Sequence, residues 1–230
     1  LVFAQTDRSL PQGKAHPGIA AFLIEKSTPG FSTIDIHGKL GLRSSNTAQL
    51  IFQDCRIPGD SLLGEIGRGF QIAMTSLDNG RYSTGSCAVG IAQACIDACT
   101  KYAQERIQFG RPIGEFQLVQ EILVDMAVET EAARLLVRQA GALKDQGADR
   151  RTISLKTSMA KYYASEAAVR AARSAIQLHG GYGYSADYHV ERYLRDAIGL
   201  TLYEGTSQIQ KLIIGASLLG LDAFHRKDNN

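Results

Sequence analysis

The hydrophobic period of this chain changes once, near residue 66. Before that point apolar residues alternate or run in short unbroken blocks; after it they recur every three or four positions. A period of two belongs to strands and a period near 3.6 to helices. The chain is therefore expected to be α+β, with a partial antiparallel β-domain over 1–63 and an all-α antiparallel four-helix bundle over 64–225.

In the first segment LVFAQTD opens a strand. GIAAFLIEK has the nearly continuous apolar run of a strand buried on both sides, and FSTIDIHGKL alternates after a turn at Pro29-Gly30. TAQLIFQDCRIP is a further strand, stopped by Pro58-Gly59, and residues 8–17 form a surface connection rich in Pro and Gly. About four strands leave open edges and an uncovered face, so this segment is expected to be the second part of a β-domain. Leu1 already stands inside a strand, with no initiator Met and no charged-then-apolar leader, so the chain reads as a piece of something longer.

The helical segment divides at its breakers. Residues 67–105 make one long helix with Gly80 and Gly85 in its middle, each costing about 1 kcal/mol against Ala. Close packing, a ligand or a mild kink would account for them. Gly110-Arg111-Pro112 ends that pattern, 114–146 resumes it, and 152–179 is rich in Ala, with Gly180 suited to the position after a helix end. A short charged helix around 191–196 precedes a last long one over 207–220, with Ile209, Leu212, Ile213 and Leu218 inward, and the HRKDNN tail is polar and frayed.

The 25 basic and 23 acidic side chains nearly balance, too closely to imply nucleic acid or an acidic membrane as the main partner, and no apolar run spans a bilayer. Of the four cysteines, Cys95 and Cys99 stand i,i+4 and could supply two metal ligands. No further pair lies near, so buried free thiols and no metal are expected. Neither G-x-G-x-x-G nor G-x-x-x-x-G-K occurs, so neither common nucleotide fingerprint is present.

Four short motifs can carry chemistry, each with a plainer alternative. Tyr203-Glu204-Gly205-Thr206 sets one carboxylate between an aromatic ring and a glycine. That suits a general base whose pKa its neighbours can raise; the alternative is a capping turn, with Thr206 as N-cap and Glu204 solvated. Asp78-Asn79-Gly80-Arg81 offers an Arg for a phosphate, or a solvated i,i+3 pair. Arg106-Ile107-Gln108-Phe109-Gly110 can meet a pyrophosphate, or simply place a cation at a helix end. Gln177-Leu178-His179-Gly180-Gly181 can hold an adenine or an amide, or be only a helix cap, and His179 on its own is expected to be structural.

In this order and spacing, DNGR, RIQFG, QLHGG and YEGTSQIQ behind a strand block resemble the acyl-CoA dehydrogenase family, over essentially the whole chain to about residue 220. KLGLRSSNTAQLIFQDCRIP and MAKYYASEAA look most similar to its short-chain and short branched-chain members. The resemblance implies FAD as cofactor and oxidation of an acyl-CoA thioester to the trans-2-enoyl-CoA. Glu204 would be the base for the α proton and flavin the hydride acceptor, with the Glu204 N–H and a flavin hydroxyl binding the thioester oxygen. Some branches carry the base one residue before the motif's Arg; Gly80 stands there, which commits this sequence to Glu204.

By the same resemblance Asp78, Asn79, Gly80, Arg81 and Gly205 contact the substrate. Arg106, Phe109, Gln117, Gln177, Leu178, His179, Gly180, Gly181, Thr206, Ser207 and Gln208 contact the flavin, some across a subunit interface. It further implies a homotetramer, an electron-transfer flavoprotein as electron acceptor, and a cytoplasmic location in a bacterium or the mitochondrial matrix in a eukaryote. The N-terminal helices and first β strands of such an enzyme are missing. An acyl-CoA oxidase, or a non-catalytic partner chain, are the rival readings.

Overall fold

A computed structural model describes residues 1–7, 9 and 16–221. Most of the 8–17 connection and the whole HRKDNN tail lie outside them. The described chain is α+β, with short antiparallel strands followed by a helical bundle. It folds as two compact units, 1–39 with 43–77, and 40–42 with the residues from Asp78 on.

In the first unit β1 (Val2–Gln5), β2 (Ile19–Phe22) and β5 (Leu62–Leu63) form an antiparallel sheet in the order β1-β2-β5. Its register pairs Phe3 with Ala21 and Ala21 with Leu63. Ala20 and Ala21 are fully buried, as the apolar run predicts, but the strand stops at Phe22 and Leu23 is exposed. β3 (Phe31–Asp35) and β4 (Ala48–Phe52) make a separate hairpin, closed by stacked Phe31 and Phe52 rings. Gly69 is packed so closely on Ala20 that a Cβ would lie 2.6 Å from its carbonyl carbon.

The helices are α1 (Gly69–Glu105), α2 (Gln117–Asp145), α3 (Arg150–His179), α4 (Val190–Leu200) and α5 (Ser207–Leu219), with a tiny hairpin of β6 (Ile107–Gln108) and β7 (Arg111–Pro112) after α1. α3 starts two residues before the apolar pattern shows it, because Asp149 accepts from the Arg151 and Thr152 N–H groups and caps the first turn. It ends at Gly180, whose φ of 61° few other residues tolerate. The alanines at 160, 164, 167, 168, 171, 172 and 175 are all buried. Their small side chains let α3 serve as the common surface for α2, α4 and α5. Val190 and Leu200 close the core, each stabilising the fold by about 1.5–3 kcal/mol.

α5 departs from expectation. Ile209, Leu212 and Leu218 were expected inward, but they are 36%, 39% and 69% exposed, whereas Ser207 and Gln210 are buried. The core-facing side of α5 is set by hydrogen bonds to the loop before it. That leaves its apolar side without cover among the described residues.

Candidate active site

α4 ends at Leu200, and the chain must turn sharply to start α5 at Ser207. It does so with two successive left-handed residues, Glu204 (φ 56°) and Gly205 (φ 86°). A non-glycine residue in that region costs free energy and needs external support. The support comes from two side chains. Lys161 Nζ donates to the Gly205 carbonyl at 2.7 Å. Gln210 Nε2 donates to the Glu204 carbonyl at 3.1 Å and to that of Gly205 at 3.0 Å. A Cβ at Gly205 would lie 2.6 Å from Gln210 Nε2, so glycine is required there on both counts.

Thr206 is the N-cap, accepting from Ile209 N at 3.3 Å, yet the capping turn does not leave Glu204 solvated. Its carboxylate lies on α1 in the space a side chain at position 80 would fill: a Cβ on Gly80 would be 2.1 Å from Glu204 Oε2. Close packing thus accounts for Gly80, and also for Gly85, where a Cβ would lie 3.2 Å from Val137 Cγ2. Among the described residues the Glu204 N–H has no acceptor, so a donor stands free beside the carboxylate.

Beneath Glu204, Arg81 and Asp78 pair at 2.8 Å with both side chains buried, not solvated. Arg81 also donates to Ser154 Oγ at 3.3 Å. Burial lowers the Arg81 pKa, and the charges of Asp78 and Glu204 oppose that shift. Asn79 faces outward and accepts from Lys144, whose ammonium lies 5.6 Å from the Tyr82 ring centroid.

A second cluster gathers at the far end of α1. Tyr102, Arg106, Gln108, Ile113, Leu178 to Gly181 and Tyr182 line a cavity of about 530 Å³, a size usual for small-molecule sites. The Arg106 guanidinium lies over the Tyr182 ring at 5.3 Å, and the His179 and Tyr102 rings stack at 4.2 Å. His179 Nδ1 is 2.8 Å from the Ala175 carbonyl. A carbonyl only accepts, so that nitrogen carries the proton and Nε2 of the neutral ring is an acceptor. Burial lowers the His179 pKa, partly offset by the bond to Ala175. A Cβ at Gly180 or Gly181 would meet open space, which leaves their backbone accessible. A guanidinium, open glycine backbone and aromatic rings suit a pyrophosphate with an attached heterocycle.

Phe109 (93% exposed), Gln117 and Gln177 lie outside that lining and face solvent in this chain. Ser207 is already used: its N–H donates to the Thr201 carbonyl at 3.0 Å and its hydroxyl to Glu166 at 2.6 Å. Gln208 is exposed beside it. Cys95 and Cys99 are buried, and burial pushes each thiol up to about 12, which makes both inert at neutral pH. No group of three or more potential metal ligands occurs among the described residues, and no helix there is long and apolar enough to cross a membrane.

The structure therefore brings Asp78 to Arg81 together with Glu204 and Gly205, and separately Arg106 with Leu178 to Gly181. Lys161, Glu166 and Gln210, which hold the turn, stand within the MAKYYASEAA and YEGTSQIQ motifs, but nothing in those motifs assigned them that part. The available signal was a lysine beside Ala160 and Ala164, on a face otherwise built of small side chains.

A family model described as the acyl-CoA dehydrogenase C-terminal domain matches residues 67–219. The chain is 48% identical over 219 residues to the mitochondrial short-chain specific acyl-CoA dehydrogenase of Rattus norvegicus, covering 95% of this chain and 52% of that protein. It is 45% identical over 219 residues to the acryloyl-CoA reductase (NADH) of Anaerotignum propionicum, covering 95% and 54%. Among solved structures, butyryl-CoA dehydrogenase from Megasphaera elsdenii matches with a TM-score of 0.88 at 41% identity, over 94% of this chain and 55% of that one. The chain spans about half the length of the curated relatives it matches.

Proposed function

This chain belongs to the acyl-CoA dehydrogenase family, and from that premise we propose that it supplies the proton-abstracting side of acyl-CoA α,β-dehydrogenation in a longer protein. The carrying observation is the Glu204 carboxylate, held against the bare backbone of Gly80 by a left-handed turn, with an unengaged N–H beside it. Glu204 takes the α proton onto its carboxylate oxygen. Its own N–H donates to the thioester oxygen, where charge develops as that proton leaves, and stabilises it. Bound FAD would supply the two-electron acceptor for the β hydride.

Arg106, Phe109, Gln117 and Gln177 to Gly181 are the residues proposed to hold the diphosphate and adenine end of the FAD, with Thr206 to Gln208 at its other end. The donor set of the Arg106 cavity supports this reading. On the substrate side Asp78 and Arg81 neutralise one another under the site. Asp78, Asn79, the Gly80 backbone, Arg81 and Gly205 are the groups proposed to meet the acyl-CoA, Asp78 and Arg81 as a buried pair and Asn79 from the exposed side. Electrons would pass to an electron-transfer flavoprotein, and the protein would be a homotetramer.

The relative named acryloyl-CoA reductase (NADH) favours a second reading, the same chemistry run toward the saturated thioester, in which Glu204 returns the α proton. One experiment tests the base in both directions. In the full-length protein Glu204→Gln should keep the fold and acyl-CoA binding and lose solvent deuterium incorporation at the α carbon by about 10²–10⁴-fold. Exchange at the parent rate would remove Glu204 from the reaction.

A further inference from the structure

Lys161 is the largest fully buried side chain in the described chain, and its ammonium ends on the backbone of the Glu204-Gly205 turn. A buried lysine carries a large desolvation cost, so a site that keeps one needs compensating groups. Two carboxylates supply them, and one cation opposes them. Glu166 lies one turn along α3 itself, Glu204 lies in the loop ahead of α5, and Arg81, paired with Asp78, faces it from α1 with the same sign of charge. α5 presents uncharged Gln210 and Ser207, and Ser207 donates to Glu166. Gly85 of α1 lies over the lysine backbone, where a Cβ would be in ordinary contact with Lys161 N at 3.6 Å.

We propose that Lys161 is a positioning residue for Glu204, its ammonium fixing the Gly205 carbonyl and so holding the turn that lays the carboxylate over Gly80. The direct hydrogen bond is 2.7 Å and Gln210 supplies the second anchor to the same carbonyl at 3.0 Å. Burial lowers the Lys161 pKa to about 8, with Glu166 and Glu204 pulling it back up and Arg81 adding to the fall. The ammonium on the Gly205 carbonyl is thus charged at neutral pH and loses its proton as pH rises through about 8.

The catalytic meaning of this inference rests on Glu204 being the base, so its test compares both positions in the full-length protein. Lys161→Met, close in shape but without a donor, should slow α-carbon deuterium exchange by about 10²-fold with little change in acyl-CoA affinity, and Lys161→Arg should restore the rate toward the parent. Parent-rate exchange in a folded K161M overturns the proposal. Should K161M fail to fold, Gln210→Leu decides, since it removes the other anchor of the same carbonyl: parent-rate exchange there overturns it. If E204Q itself exchanges at the parent rate, the assignment of the base falls; if E204Q is slow and K161M is not, the inference about Lys161 falls.

Discussion

Glu204 gains its meaning from what is missing at residue 80. A carboxylate in a left-handed turn would ordinarily point to solvent, but here the helix opposite has no side chain at the point of contact, and the carboxylate lies on bare backbone. At the other cluster His179 shows how burial sets a protonation state. Its pKa lies below the usual 6.5, chiefly through burial. As pH falls below 6.5 the unfolded chain takes up this proton first, so the stability His179 contributes is full above that value and is lost as pH drops through the folded-state pKa. Urea midpoints measured at about pH 7.5 and about pH 5.5 should fall toward acid in the parent. His179→Phe can keep the stack on Tyr102 but cannot bind a proton, and should show a shallower fall. Equal slopes would show that His179 is not the group responsible.

Among the elements, α1 is shaped by its glycines, and they divide by what lies opposite. Gly90 faces open space, so Gly90→Ala gains helix propensity without a clash and should raise stability by about 0.5–1 kcal/mol in denaturant unfolding. Gly80→Ala gains the same propensity but drives a methyl to 2.1 Å from the Glu204 carboxylate, which must then move. Its stability should change little, while α-carbon exchange in the full-length protein should fall by about 10²-fold, the usual effect of a misplacement of about 1 Å. If both variants behave alike, the contact between Gly80 and Glu204 has no functional weight. The same geometry governs any attempt to move the proposed base to position 80: a glutamine left at 204 would occupy the space the new side chain needs, so Gly80→Glu calls for glycine at 204.

For the molecule as a whole, the uncovered apolar surface on α2 and α5 is the feature that points beyond this chain. Val124, Val128 and Leu135 lie on one stripe of α2 at 57%, 65% and 57% exposure, and Leu218, Leu219 and Leu221 close the C-terminal end of the bundle, each more than 60% exposed. Contiguous apolar surface of this kind marks association sites. The protein should therefore sediment as an oligomer at micromolar concentration, and Val128→Asp with Leu135→Asp should shift it toward monomer. A parent that runs as a clean monomer would count against assembly through α2.

The sequence alone determined whatever depends on near neighbours. The change of period near residue 66 separates strands from helices, Gly180 ends α3, and Thr206 caps α5, because a helix face, a cap and a turn are each set within a few residues. The order of the four motifs was enough for the family. Only the tertiary structure decided that Gly80 makes room for Glu204, that the Asp78–Arg81 pair is buried, and that Gln210 and Lys161 rather than the leucines of α5 face the turn. These contacts join α1, α3 and the loop before α5, which are far apart in the chain. Side-chain spacing encodes which face a residue occupies on its own element, whereas the gap it fills and the charge it meets are set by the elements packed against it.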